Sequence, residues 1–148
     1  MRSTFIGQYL HTLDPKNRLF IPPRFRKELE KEDKKFFFLT LGPDGCLRMF
    51  LPSDWEKFQD RLGVMKLEDK RQQRAMIRTI LANAGEAEVD DQGRILVPQH
   101  LKESAGLRKE VFVIGMGDQI ELWDRQRFTA YDRKSRKTME LKSKDIEI

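Results

Sequence analysis

An α+β, β-rich fold assembled from two tandem copies of one small unit is the architecture this sequence predicts. Two matched blocks carry that reading. The segment Leu13-Asp14-Pro15-Lys16-Asn17-Arg18-Leu19-Phe20-Ile21-Pro22 recurs as Val89-Asp90-Asp91-Gln92-Gly93-Arg94-Ile95-Leu96-Val97-Pro98. Aspartate, arginine and proline fall at matching places, with apolar residues between. Further on, Leu47-Arg48-Met49-Phe50 matches Ile120-Glu121-Leu122-Trp123, and Trp55 matches Phe128, in the same order. Repetition of this kind marks a fold built by copying one supersecondary unit. The third observation is size. A chain of 148 residues, 36% charged and 39% hydrophobic, leaves each copy a small core. The copies are therefore expected to share a core or gain stability by oligomerising.

Each repeated block opens on a turn. The carboxylates of Asp14 and Asp90 can accept from backbone N–H groups two residues on. Pro15 has its φ already set for the next position. Asn17 and Gly93, fourth when counted from each aspartate, are residue types that tolerate left-handed backbone. The spacing predicts a three-residue hairpin loop closed by a bulge, with Arg18 and Arg94 opening the returning strands. Each aspartate and arginine can pair across its turn. Asp14, Asp90, Gly93 and Arg94 are accordingly read as structural turn and pairing residues.

Pro22 and Pro98 stand at the start of short helices, where a missing N–H does no harm. These helices are expected over 24–29 and 99–105, the second capped by Gly106. Two strands follow in each copy, over 36–41 and 46–50, then 111–114 and 119–123. Each unit thus reads as hairpin, short helix, hairpin. Between the copies, Ser53-Asp54-Trp55-Glu56 has the form of a capping box opening a helix to about residue 62, broken at Gly63. A second helix is expected from about residue 68 to 83, with Gly85 as its stop signal. The organisation is a first repeat over 5–51, a helical insertion over 52–85, a second repeat over 86–128 and a charged tail over 129–148. The tail is compatible with a helix or a frayed end.

Charge separates the two copies. The net charge is +5 and the sequence pI about 9.4. From Asp14 to Lys27 there are five basic residues and one acidic, a net +4; from Asp90 to Glu103 there are two basic and three acidic, a net −1. A phosphate backbone attracts the first surface and gains nothing from the second. The first copy is therefore expected to bind double-stranded DNA, and the second to complete the fold. A tight turn would project Lys16, Asn17 and Arg18 towards a major groove, which a two-stranded ribbon can enter. Arg18 could donate twice to guanine, and Asn17 could read adenine or bond a phosphate. Arg24, Arg26 and Lys27 would hold the backbone and set register. The alternative role for Arg18 is an internal pair with Asp14.

These residues resemble a known family. Phe5-Ile6-Gly7, LDPKNR with its IPPRFR continuation, VDDQGRILVP, and GLRKEVFVIG followed by IELWD are similar to the MraZ family of the SpoVT/AbrB-like DNA-binding superfamily. The likeness runs from Phe5 to about Phe128. Ile6 stands where the family usually has arginine, and Asn17 where its turn usually has glycine. The resemblance implies a swapped-hairpin β-barrel formed within one chain by the two repeats. It also implies ring-shaped homo-oligomers, typically octamers. The implied function is transcriptional regulation, through short direct repeats in the promoter region of the family's own division and cell-wall gene cluster. The same superfamily includes antitoxins, so a protein-binding module is the alternative.

Other function classes find little support. No apolar run approaches the roughly 18 residues of a membrane span, and the N-terminus lacks a signal-peptide pattern. A cytoplasmic, nucleoid-associated protein is expected. The single cysteine, Cys46, cannot form an internal disulfide and fits a reducing compartment. His11 and His100 have no zinc-ligand spacing. There is no phosphate-cradling glycine loop and no nucleophile elbow. No catalytic residue, metal, cofactor, membrane or small-molecule substrate is expected.

Overall fold

The computed structural model describes residues 4–147. Among the described residues, eight strands, five α-helices and a short 3-10 turn at Pro43–Gly45 make an α+β fold. The strands are β1 (Gln8–Thr12), β2 (Arg18–Phe20), β3 (Phe36–Leu41), β4 (Leu47–Phe50), β5 (Gly85–Glu88), β6 (Arg94–Leu96), β7 (Glu110–Gly115) and β8 (Ile120–Asp124). The helices are α1 (Pro23–Lys31), α2 (Pro52–Val64), α3 (Lys70–Ala82), α4 (Gln99–Ser104) and α5 (Arg125–Ile146).

Six strands form an antiparallel sheet in the order β1-β7-β8-β4-β3-β5, and β2 pairs with β6 in a separate two-stranded ribbon. The sheet order is palindromic. Exchanging the two halves of the chain maps β1 on β5, β7 on β3 and β8 on β4. The ribbon register obeys the same exchange, with Arg18 opposite Leu96, Leu19 opposite Ile95 and Phe20 opposite Arg94. Two similar blocks thus occupy equivalent places about a local pseudo-twofold that passes through Leu19 and Ile95.

Two expectations about strand topology need correction. The strands flanking each aspartate turn do not pair with one another. The turns themselves close, with Asp14 N–H donating to the Arg18 carbonyl and Asp90 N–H to that of Arg94, but β1 then pairs with β7 and β5 with β3. The second correction concerns the barrel, because the sheet is open. After each turn the chain leaves the sheet plane, and the three-residue strands β2 and β6 ladder with each other, so no ladder joins edge β1 to edge β5.

Strand alternation divides the interior in two. Leu47 and Met49 of β4 face the main core with Phe37 and Leu39 of β3, whereas Phe50 faces a second cluster. The main core also takes Phe5, Leu19, Ile21, Phe25, Ile95, Val97 and Leu101, so α1, α4 and the ribbon all seal one sheet face. On the other face α2 presents Trp55, Phe58 and Leu62 at helical spacing, and Ile80 of α3 completes the cluster. Trp55 stacks on Phe38, and Phe58 on Phe50. Ser53 does not cap α2. Leu51 is its N-cap, and Ser53 instead bonds Glu32 beyond α1. Gly63 lies within α2 rather than ending it. The charged tail is helical, with Asp124 capping the Arg127 N–H and Trp123 packing on Phe128 and Tyr131.

Candidate nucleic-acid interface

The ribbon presents an apolar underside and a polar outer face. Leu19 and Ile95 point inward and are buried. By strand alternation, Arg18, Phe20, Arg94 and Leu96 share the outer face. Leu96 is 59% exposed there.

Both turns are organised by one carboxylate. Asp14 Oδ1 accepts from the N–H groups of Lys16 (2.9 Å) and Arg18 (2.8 Å), and Oδ2 accepts from Arg18 Nε at 2.7 Å. Asp90 repeats this with Gln92 N–H (2.9 Å), Arg94 N–H (2.9 Å) and Arg94 Nε (3.0 Å). The Arg18 and Arg94 backbone N–H groups are the main reason that the two carboxyls are held below the ordinary aspartate range. Asn17 (φ 62°) and Gly93 (φ 79°) both take the left-handed conformation. The internal pairing raised as an alternative role for Arg18 is therefore formed, yet through Nε. The side chain remains 35% exposed, against 25% for Arg94.

Each turn docks on the helix of the opposite half. The Asn17 side-chain amide donates to Gln99 Oε1 and its carbonyl accepts from Lys102 Nζ, both at 3.0 Å. In the mirrored position Arg26 lies against Gly93, donates from Nε to the Ile21 carbonyl at 2.8 Å and stacks over Phe20 at 5.1 Å. The residues singled out from the sequence are consequently split. Lys16, Asn17 and Arg18 belong to the first turn, which meets α4 through Asn17, while Arg26 sits beside the second turn. Lys16, Arg24 and Lys27 are exposed, and Arg26 and Asn17 are half-buried in these docking contacts. Sequence comparison missed Gln99 and Lys102, although the repeat itself aligns Lys102 with Arg26. Ile6 is exposed near the N-terminus.

A groove of about 620 Å³ lies where β5 and the second turn meet the ribbon, its lining setting Arg18, Lys35 and Arg94 among the carboxylates of Glu86, Glu88, Asp90 and Asp91. Among the described residues no group of three or more His, Cys, Asp or Glu could hold a metal ion. Cys46 is buried, and desolvation pushes its thiol far up, which favours the protonated form at neutral pH. His11, packed edge-on to Phe20, is lowered by burial.

A family model described as "MraZ protein, putative antitoxin-like" matches residues 4–77 and 80–146. The chain belongs to the MraZ family. Among its relatives, a protein of Heliobacterium modesticaldum named "Transcriptional regulator MraZ" is 42% identical over 131 residues, 88% of each chain. A namesake from Acetivibrio thermocellus is 41% identical over 127 residues, 86% of this chain and 85% of its own. One from Leuconostoc mesenteroides is 43% identical over 127 residues, with the same shares. Among the described residues no helix is long and apolar enough to cross a membrane.

Proposed function

We propose that the protein is a sequence-specific double-stranded DNA-binding transcriptional regulator and not an enzyme. The observation that carries this reading is the ribbon of β2 and β6. It presents Arg18 with its Nε anchored on Asp14, and the Nη atoms make no hydrogen bond among the described residues. A guanidinium held at Nε keeps its outer fork available for two parallel bonds to guanine O6 and N7. Exposed Lys16, Arg24 and Lys27 supply phosphate contacts. The names of the relatives support the same assignment.

One ribbon reaches few base pairs and binds weakly. A ring-shaped homo-oligomer, eight subunits in the form that the resemblance implies, would bring several ribbons to short direct repeats and gain affinity through effective concentration. Such repeats would lie upstream of the protein's own division and cell-wall gene cluster, placing it at the nucleoid. Within each subunit the working unit is the pair of repeats, 5–51 and 86–128, with exchanged hairpins.

Selection of bound fragments from the organism's genomic DNA tests this, with gel shifts at rising salt. The expected result is a recurrent motif, affinity falling steeply with salt, and loss of the motif in Arg18→Ala with the oligomer intact. Salt-insensitive binding without a motif would refute it. The antitoxin-like wording of the family description keeps one other outcome in view: a protein partner captured in place of DNA.

A further inference from the structure

We infer that the second repeat reads DNA as well, through Arg94, which acts with Arg18 as a specificity-determining pair on one ribbon face. This deepens the DNA-binding reading and rests on it. The charge comparison along the sequence points the other way, since residues 90–103 carry no net positive charge, but the fold places the groups differently.

Three observations put Arg94 on the reading face. The ribbon register sets Arg94 opposite Phe20 and Arg18 opposite Leu96, so both arginines rise from the same side of a two-stranded ribbon. Arg94 Nη1 lies 3.9 Å from Asp14 Oδ2, the oxygen that also holds Arg18 Nε at 2.7 Å. The two guanidiniums therefore converge on one carboxylate from opposite repeats. Both also line the same groove.

The flanking charges decide the path of a duplex. Lys16 lies at the first turn, which docks on α4 and gains Lys102 as a neighbour through Asn17. Arg26 lies at the other end of the ribbon, against Gly93 of the second turn. Its helix carries Arg24 and Lys27, both exposed. Phosphate contacts from Lys16 at one end and from α1 at the other span the ribbon, and Arg94 stands between them. A duplex engaging the basic residues of the first repeat at both ends must cross the second turn. Asp90 then acts on Arg94 as Asp14 acts on Arg18, as a positioning residue that fixes Nε. Leu96, exposed beside Arg18, offers an apolar surface of the kind that meets a thymine methyl.

The experiment selects sequences from a randomised DNA duplex library, then measures affinity of each variant for the selected duplex and for single-base changes in it. Arg94→Lys keeps a cation for Asp90 but cannot form the planar fork. It should retain the melting temperature and oligomeric size of the parent and lose about tenfold in discrimination at one base position. Arg18→Lys should lose discrimination at a different position. Unchanged discrimination by a folded Arg94→Lys, with Arg18→Lys impaired, overturns the inference and leaves the wider reading standing. Parent protein that selects no motif overturns both. Asp91→Asn tests the same placement without touching the turn contacts. Exposed Asp91 would face phosphates, so its neutralisation should strengthen binding severalfold at low salt. An unchanged affinity would place the second turn away from DNA and refute the proposal.

Discussion

The turns at Asp14 and Asp90 share one backbone design and differ in what they dock against. Both use a single carboxylate to gather two N–H groups and an arginine Nε. The first turn has asparagine in the left-handed position and fastens it to Gln99 and Lys102 through polar bonds. The second has glycine there and lets the Arg26 guanidinium lie flat against the bare backbone. Asparagine at position 93 would displace that guanidinium. The choice of residue at one left-handed position thus sets whether the opposing helix meets the turn by side-chain hydrogen bonds or by close packing.

The comparison is sharpest at the pseudo-twofold, where the halves should be equal. Leu19→Ala and Ile95→Ala each remove a buried side chain from the centre of the ribbon. Each should cost about 2–5 kcal/mol in urea unfolding. A loss confined to one of them would show that the ribbon is supported from one side.

Gly93→Asn asks whether the turns are interchangeable. A Cβ at Gly93 would come within 2.7 Å of Arg26 Cζ. That is the end of a flexible side chain, so Arg26 would swing away and lose its place over Phe20. The expected loss is about 1–2 kcal/mol. Asn17→Gly should change stability by less than about 0.5 kcal/mol, because relief of left-handed strain offsets two lost polar bonds. Equal effects of the two changes would show that Arg26 contributes nothing at Gly93.

The docking helices give a smaller contrast. Arg26→Ala loses a bond to the Ile21 carbonyl and the Phe20 contact, and should cost about 1 kcal/mol. Lys102→Ala loses one exposed polar contact and should cost a few tenths. Thermal melting of the two variants side by side checks this ranking.

The smallest effect is in acid, where the turns should again agree. Asp14 and Asp90 have folded pKa values below the ordinary 3.8. A depressed carboxylate contributes stability that is complete above its unfolded pKa and lost as pH falls through the folded value. Melting temperature should therefore decline below about pH 4. Asp14→Asn and Asp90→Asn should each flatten part of that decline, by similar amounts. A parent slope unchanged in both variants would assign the acid response to other carboxylates.

The sequence was most informative where a structural requirement is local. Turn positions depend on an aspartate and on a residue that accepts positive φ, and both are legible at 14–17, where Pro15 adds its fixed φ, and at 90–93. Helix starts at Pro22 and Pro98 and the strand pairs at 36–50 and 110–124 follow from equally short-range chemistry. The repeat itself was visible because both copies face the same constraints. Partner choice was not. A strand of three to six residues exposes the same N–H and C=O rows whichever neighbour it takes, so nothing in β1 or β5 announced that each pairs across the repeats. Ser53 had the right spacing for a capping box, but α2 begins one residue earlier at Pro52, and the Ser53 hydroxyl inside the first turn donates to Glu32 from a distant segment.

By itself, then, the sequence determined the two turns, their arginines, the split between polar and apolar positions and the family. Tertiary structure alone decided that β2 meets β6 and that each turn rests on the other half's helix. It also decided that Arg18 and Arg94 share one face. The physical reason is that hydrogen-bond ladders and helix docking are chosen by total buried area and register across the whole molecule, and neither quantity is written in any single segment.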